Sequence, residues 1–273
     1  MTRTGPPAAH GGIAMARTYV VTGAASGIGR ATVHLLTALD HVVVTLDRHD
    51  ADVVADLSTP AGRAEAVEGV RAATGGIVDA VIASAGLALP EPATVAVNYF
   101  GTVATLEGLR PMLAAGTHPR AVVVSSMASF QANDAALVDA CLAGDEPHAL
   151  EVAAKLAGAE DTANLIYSST KAALNRWMRR VATTPEWAGA HVPLNAVGPG
   201  VVLTPMTEGW TSSAEGRAFL EQVVPMPLTG FMAPEQVAAV LVFLASEENS
   251  AMTGQVVFVD GGSDVVLRGE TAW

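Results

Sequence analysis

Cysteine is nearly missing from this chain. Cys141 stands alone among 273 residues, which excludes an internal disulfide and any thiolate-cluster metal site. Positive charge is scarce as well: 15 Lys and Arg face 27 Asp and Glu, for a formal net charge of −12. No Lys/Arg cluster builds the stripe that follows a phosphate backbone, so nucleic acid is excluded as a partner and an anionic membrane surface would repel the chain. Long apolar runs are absent, each breaking well before the roughly 20 residues that span a bilayer. Residues 1–14 carry a lone Arg3 and no apolar signal core, so a secretory leader is not expected and the location reads as cytoplasmic. The seven histidines are scattered with no two at helical ligand spacing, and no metal site is expected. Met15-Ala16-Arg17 offers an alternative start, which would make residues 1–16 a disordered extension.

What is present is apolar: half the residues, enough for residues 17–273 to bury a full core as one domain. Valine-rich runs at Tyr19–Thr22, Val42–Leu46, Val53–Ala55, Val78–Ser84, Ala121–Ser125, His191–Val197 and Val256–Val259 alternate with alanine-rich stretches of helical period. That alternation predicts an α/β fold, a doubly wound parallel sheet with helices on both faces. Thr59-Pro60 reads as an N-cap and first helical position, opening a helix to about Ala73, and Ala233-Pro234-Glu235 reads as another start. Residues 128–164 break the rhythm. They are too long for a tight connection, and the helical spacing of Ala135–Leu142 and Pro147–Leu156 around Gly144-Asp145 predicts an inserted helical hairpin. Cys141 falls on an apolar helical face there and reads as core. Residues 205–230 are a second irregular stretch, with Met206, Trp210, Phe219 and Met226 among polar neighbours.

The candidate chemistry begins in Thr22-Gly23-Ala24-Ala25-Ser26-Gly27-Ile28-Gly29. Its glycines follow a strand and open a helix, the context in which backbone amides and a helix N-terminus cradle a diphosphate. About twenty residues on, Asp47 ends the second strand, where a carboxylate accepts from adenosine ribose hydroxyls and repels a 2′-phosphate. NAD is the expected cofactor and NADP the lesser alternative, with Arg48 leaving dual use open. Further along, Tyr167 and Lys171 stand four apart on a helix and face the same way, as an acid/base pair requires. A free phenol titrates near about 10, so the cation is needed to favour the phenolate near neutrality.

Glycine turn, Asn98 in Val97-Asn98-Tyr99-Phe100-Gly101, the Ser125-Ser126 pair and Tyr167/Lys171, in that order, resemble the short-chain dehydrogenase/reductase family over about residues 17–264. The resemblance implies a Rossmann-type sheet and hydride transfer with Tyr167 as proton donor and acceptor. Ser126 would hold the substrate oxygen, Lys171 the nicotinamide ribose, and Asn98 a water linking Lys171 to solvent. It further implies adenine contacts from Asp56-Leu57, backbone contacts from Ala85-Gly86, and nicotinamide contacts from Pro199-Gly200, Val202 and Thr204. Residues 205–230 would be a mobile lid over the substrate. Ala83-Ser84-Ala85-Gly86 replaces the family's Asn-Asn-Ala-Gly, leaving the usual side-chain bridge between central strands without its asparagines. Val53–Thr59, the long insertion and Val259-Asp260-Gly261-Gly262 are similar to the bacterial 3α-hydroxysteroid dehydrogenase/carbonyl reductase branch. The implied partner is a small alcohol or ketone on an apolar, cyclic skeleton such as a steroid or terpenoid. Rival readings are a ketoreductase of polyketide or acyl-thioester metabolism and a non-catalytic NAD-sensing regulator. The family's tetramer packs the helix that bears the tyrosine, so an inserted hairpin beside it makes a homodimer the expected assembly and a tetramer the alternative.

Overall fold

Strands of unbroken valine have no polar face to give to water, so both faces must be covered, and parallel crossovers supply the cover. The computed structural model describes residues 16–271, and the expected extension at 1–16 lies outside them but for residue 16. Among the described residues, β1 (Thr18–Thr22), β2 (Val42–Asp47), β3 (Val53–Val54), β4 (Ala80–Ala83), β5 (Arg120–Val124), β6 (Leu194–Pro199) and β7 (Val256–Val259) form one sheet. Its order is β3-β2-β1-β4-β5-β6-β7, and every pairing is parallel. The order reverses between β1 and β4, the switch point at which such sheets open a crevice beyond their C-terminal ends.

Side-chain alternation along β1 divides the interior in two. Val20 packs with α2 (Pro60–Thr74), α4 (Thr102–Ala114) and α8 (Leu165–Val181) through Val70, Leu109 and Leu174. Tyr19 and Val21 face α1 (Gly27–Ala38) and α11 (Pro234–Ala245) through Leu36 and Leu241. Each fully buried side chain of this size contributes about 1.5–3 kcal/mol. Thr59 caps α2 as expected, its Oγ1 accepting from the Gly62 amide at 3.0 Å.

The strands keep their expected bounds to within one residue except β4 and β6. β4 is shorter than Val78–Ser84 because the Val78 amide turns to the Met112 carbonyl and the Ser84 amide to the Thr22 hydroxyl. β6 begins at Leu194, since His191 has φ of 58° and closes a tight turn over Ala188–Ala190. The insertion holds α5 (Ala135–Ala143) and α6 (Glu146–Ala157), joined through Gly144 at φ of 74° with Asp145 capping α6. A one-turn α7 (Glu160–Ala163) follows. Cys141 is fully buried in the core. Residues 205–230 carry α9 (Glu208–Thr211) and α10 (Ala214–Val223). Trp210 and Phe219 stack there with centroids 5.4 Å apart, whereas Met226 is buried, its sulfur accepting from the Val201 amide. The remaining helices are α3 (Pro92–Val95), which runs into a π-helical turn over Ala96–Gly101 and then α4, and α12 (Ser263–Arg268). Among the described residues no helix is long and apolar enough to cross a membrane.

Candidate active site

The turn after β1 has almost no room for side chains. Gly23 has φ of 65°, and a Cβ there would lie 2.8 Å from Ala85 Cα; one on Gly29 would lie 2.1 Å from the Gly23 carbonyl oxygen. The strand end, the turn and the first residues of α1 are thereby pressed together. Ser26 caps α1 in extended conformation without a side-chain hydrogen bond, so first-turn amides of the helix lack a side-chain acceptor at the positive end of the dipole. This donor set fits a diphosphate. Thr22 replaces the missing asparagine bridge: its Oγ1 accepts from the amides of Ser84 at 3.0 Å and Ala85 at 2.9 Å, tying β1 to the loop after β4.

Asp47 at the end of β2 faces the same turn. One carboxylate oxygen accepts from the Ala25 amide at 3.0 Å and the other from the Arg48 amide at 2.7 Å, which orients the acid on the cleft wall. Asp56, after β3, accepts from the Ser58 amide at 2.9 Å, and that bond holds its carboxyl below the ordinary range. A cleft of about 450 Å³ runs from these acids across the glycine turn to the ends of β5 and β6. Every residue expected to meet the cofactor lines it: Gly23, Ser26, Gly27, Ile28 and Gly29 in the turn; Asp47, Arg48, Asp56 and Leu57 on the β2–β3 side; Ala85 and Gly86 after β4; Tyr167 and Lys171 on α8; Pro199, Gly200, Val202 and Thr204 after β6.

Ser126, just beyond β5, also lines the cleft, its Oγ accepting from the Ala128 amide at 3.1 Å. Lys171 is almost fully buried. Its Nζ donates to the Val124 carbonyl at 2.8 Å and lies 5.7 Å from the centre of the Tyr167 ring. Burial pulls the ammonium down to about 8. The Tyr167 phenol moves the other way from the sequence expectation: burial raises it, and hydrogen bonding from Ser126 opposes the rise only in part. Desolvation of the phenolate outweighs what the Ser126 hydrogen bond returns. In the protein alone, Tyr167 is therefore a protonated acid at neutral pH.

Asn98 lies in the π-helical turn, fully buried and outside the cleft lining. Its Oδ1 accepts from the Leu87 amide at 2.7 Å, while Nδ2 donates to the Leu87 carbonyl at 2.9 Å and to Thr170 Oγ1 at 3.2 Å. The amide thus clips the loop after β4 to the catalytic-candidate helix. Thr170 in turn donates to the Tyr167 carbonyl at 2.7 Å. Sequence reasoning gave no role to Thr22, Leu87 or Ser125, whose buried hydroxyl has no partner at the cleft wall. Thr22 and Ser125 stand inside the quoted motifs, but only the packed strand ends show what their hydroxyls meet. Leu87, Leu89, Met206 and Thr207 complete the mouth; Met206 and Thr207 belong to the stretch expected as a lid, whereas nothing in the spacing of Leu87 and Leu89 marks them. Among the described residues no group of three or more His, Cys, Asp or Glu could hold a metal.

Comparison with known proteins agrees with this geometry. The family model described as short chain dehydrogenase matches residues 17–141, and one described as enoyl-(acyl carrier protein) reductase matches residues 149–264. A 3-alpha-hydroxysteroid dehydrogenase/carbonyl reductase of Comamonas testosteroni is 37% identical over 257 residues, covering 91% of this chain and 97% of its own. The crystal structure of the 3-alpha-hydroxysteroid dehydrogenase from Pseudomonas sp. B-0831, complexed with NADH, superposes with a TM-score of 0.86 at 39% identity, covering 93% of this chain and 99% of that one. A putative NAD(P)-dependent gluconate 5-dehydrogenase of Beutenbergia cavernae with bound NADP superposes at 0.70 with 29% identity, covering 92% and 98%. With a parallel sheet, a glycine turn at its switch point and full-length relatives above 30% identity, the chain belongs to the short-chain dehydrogenase/reductase family and is an NAD(P)-dependent oxidoreductase.

Proposed function

We propose that the chain is an NAD-dependent dehydrogenase acting on a secondary alcohol, or the corresponding ketone, carried on an apolar cyclic skeleton of steroid or terpenoid kind. The observation that carries the reading is the meeting of Ser126, Tyr167 and Lys171 in one cleft with the glycine turn and Asp47. When bound, the nicotinamide coenzyme supplies the carbon that gives or takes the hydride. The N-terminal amides of α1 would hold its diphosphate, Asp47 its adenosine ribose, and Asp56 and Leu57 its adenine. The loops after β4 and β6, with Lys171, would hold the nicotinamide half.

The protein's own part is positioning and proton transfer. Ser126 holds the substrate oxygen against the phenol. Tyr167, kept protonated by burial, donates its proton to the carbonyl oxygen during reduction; in the oxidation direction it must first release that proton to solvent past Lys171, and as the phenolate it takes one from the substrate hydroxyl. The Lys171 ammonium stabilises the phenolate left after donation, and Asn98 fixes the loop and helix that carry these groups. Asn98 Oδ1 and Lys171 Nζ both border Gly86, 3.3 and 3.8 Å from where a Cβ on it would stand, and a water held between them would link Lys171 to solvent. NAD is favoured over NADP because a 2′-phosphate would meet the oriented Asp47 carboxylate.

The apolar substrate class rests on the mouth of the cleft. Leu89 and Met206 are half-exposed there, and the stacked Trp210 and Phe219 are exposed on the segment read as a lid. Arg217 is the one basic residue in 205–230, and its guanidinium lies over the Phe231 ring at 5.0 Å, which disfavours a phosphopantetheine carrier. The test is a panel of cyclic secondary alcohols, acyl-thioester alcohols and open-chain alcohols, each with NAD and read by absorbance of the reduced coenzyme. Turnover confined to the thioesters would refute the substrate class, and NAD binding without turnover of any alcohol would favour the sensor.

A further inference from the structure

A cation in the first turn of a helix sits at the unfavourable end of the dipole. Arg63 does so at the start of α2, and it is only 7% exposed. Its donors go in three directions. Nε donates to the Leu57 carbonyl at 2.8 Å and Nη2 to the Ser58 carbonyl at 3.3 Å, which fixes the loop after β3. Nη2 also donates to the Ala96 carbonyl at 3.0 Å, where the π-helical turn begins. The remaining fork is a two-bond pair with Glu146, Nη1 to Oε2 at 2.7 Å and Nη2 to Oε1 at 2.6 Å. Glu146 is the first residue of α6, so its carboxylate stands at the favourable end of that helix and belongs to the insertion.

The loop so held is a wall of the cleft. Asp56 and Leu57 line it, and the Ser58 amide orients the Asp56 carboxylate. The backbone there is tightly enclosed: a Cβ on Gly62 would lie 2.1 Å from the Asp56 carbonyl oxygen, and one on Gly101 2.8 Å from that of Leu57. A carbonyl packed this closely needs a donor of fixed geometry, and a guanidinium clamped by a carboxylate is such a donor. An arginine released from Glu146 would keep its charge but lose the clamp that aims it.

We infer that Glu146 and Arg63 are positioning residues for the adenosine half of the coenzyme, through which the insertion braces the loop carrying Asp56 and Leu57. The inference rests on the proposed coenzyme site. Neither residue lines the cleft, and the loop they hold follows β3 at one edge of the sheet, with β2, β1 and β4 between it and the β5 end where Ser126 stands. Their loss should therefore weaken adenosine binding and leave chemistry alone.

The test compares the unaltered protein with Glu146→Gln, which keeps the shape but not the charge, and Arg63→Lys, which keeps the charge but not the fork. NADH, ADP and nicotinamide mononucleotide are titrated separately, and kcat is measured at saturating NAD. Both variants should bind NADH and ADP about tenfold more weakly, with nicotinamide mononucleotide affinity and saturated kcat unchanged. Unchanged ADP affinity in a folded variant would overturn the inference, as would equal loss for both half-ligands. If one variant fails to fold, the other decides. Failure of the unaltered protein to bind NADH or ADP would instead overturn the coenzyme reading beneath it.

Discussion

Replacing Lys171 with methionine should abolish turnover without the destabilisation normally expected from altering a buried, hydrogen-bonded residue. The ammonium titrates near about 8 in the fold against 10.5 for the free side chain, through burial. That gap means the folded state holds the lysine charged at pH 7 at a cost of about 3 kcal/mol. Lys171→Met removes the cost but leaves the Val124 carbonyl without its donor, a loss of about 1–3 kcal/mol. At pH 7 the variant should thus be as stable as the unaltered protein, or more stable by about 2 kcal/mol. The sign with pH follows from proton binding. Between 8 and 10.5 the unfolded chain holds more protons at this site than the fold, so the lysine protein gains stability with rising pH relative to methionine. By about pH 10.5 that gain should approach 3 kcal/mol and the variant should have become the less stable of the two. Urea unfolding of both proteins at pH 7 and 10.5 measures it, since groups common to both cancel in the difference. A stability difference constant to within about 1 kcal/mol would refute the burial argument.

Tyr167→Phe should keep NADH binding, measured by fluorescence titration, while kcat falls by at least about 10²-fold; near-normal turnover would remove the phenol from the mechanism. Asp47→Ala should shift the ratio of kcat/KM values toward NADP, because the carboxylate that opposes a 2′-phosphate is gone and Arg48 is freed to meet it; an unchanged ratio would leave Asp47 as a brace for the Ala25 amide. The assembly is expected to be a homodimer, since the insertion covers part of α8, with Arg180 donating to the Leu142 carbonyl and Arg176 lying 3.9 Å from Asp139. Light scattering that returns a tetramer would count against the hairpin as a block.

Local order was legible because it is written locally. The valine runs predicted strands, which in β1 and β4 to β6 are covered on both faces while Val42 and Val54 toward the β3 edge stay exposed, and Thr59-Pro60 predicted a helix start. The glycines between β1 and α1 marked a turn whose close approaches of 2.1 and 2.8 Å admit no side chain. Tyr167 and Lys171 share a helix face by period alone. Strand ends were less legible, since β4 and β6 stop where a hydroxyl or a left-handed histidine takes over the chain.

What the sequence by itself determined was the fold class, through its periodicity, and the family with most of the coenzyme-facing residues, through motifs that resemble that family; Leu87 and Leu89 at the cleft wall carried no such mark. Only the tertiary structure decided what those residues experience. The raised Tyr167 phenol and lowered Lys171 ammonium come from desolvation by neighbours remote in the chain. The tie from Glu146 to Arg63 spans 83 positions. Burial and long-range hydrogen bonds are sums over surroundings that no local window contains, so the chemistry of a named residue is set by the packing that surrounds it.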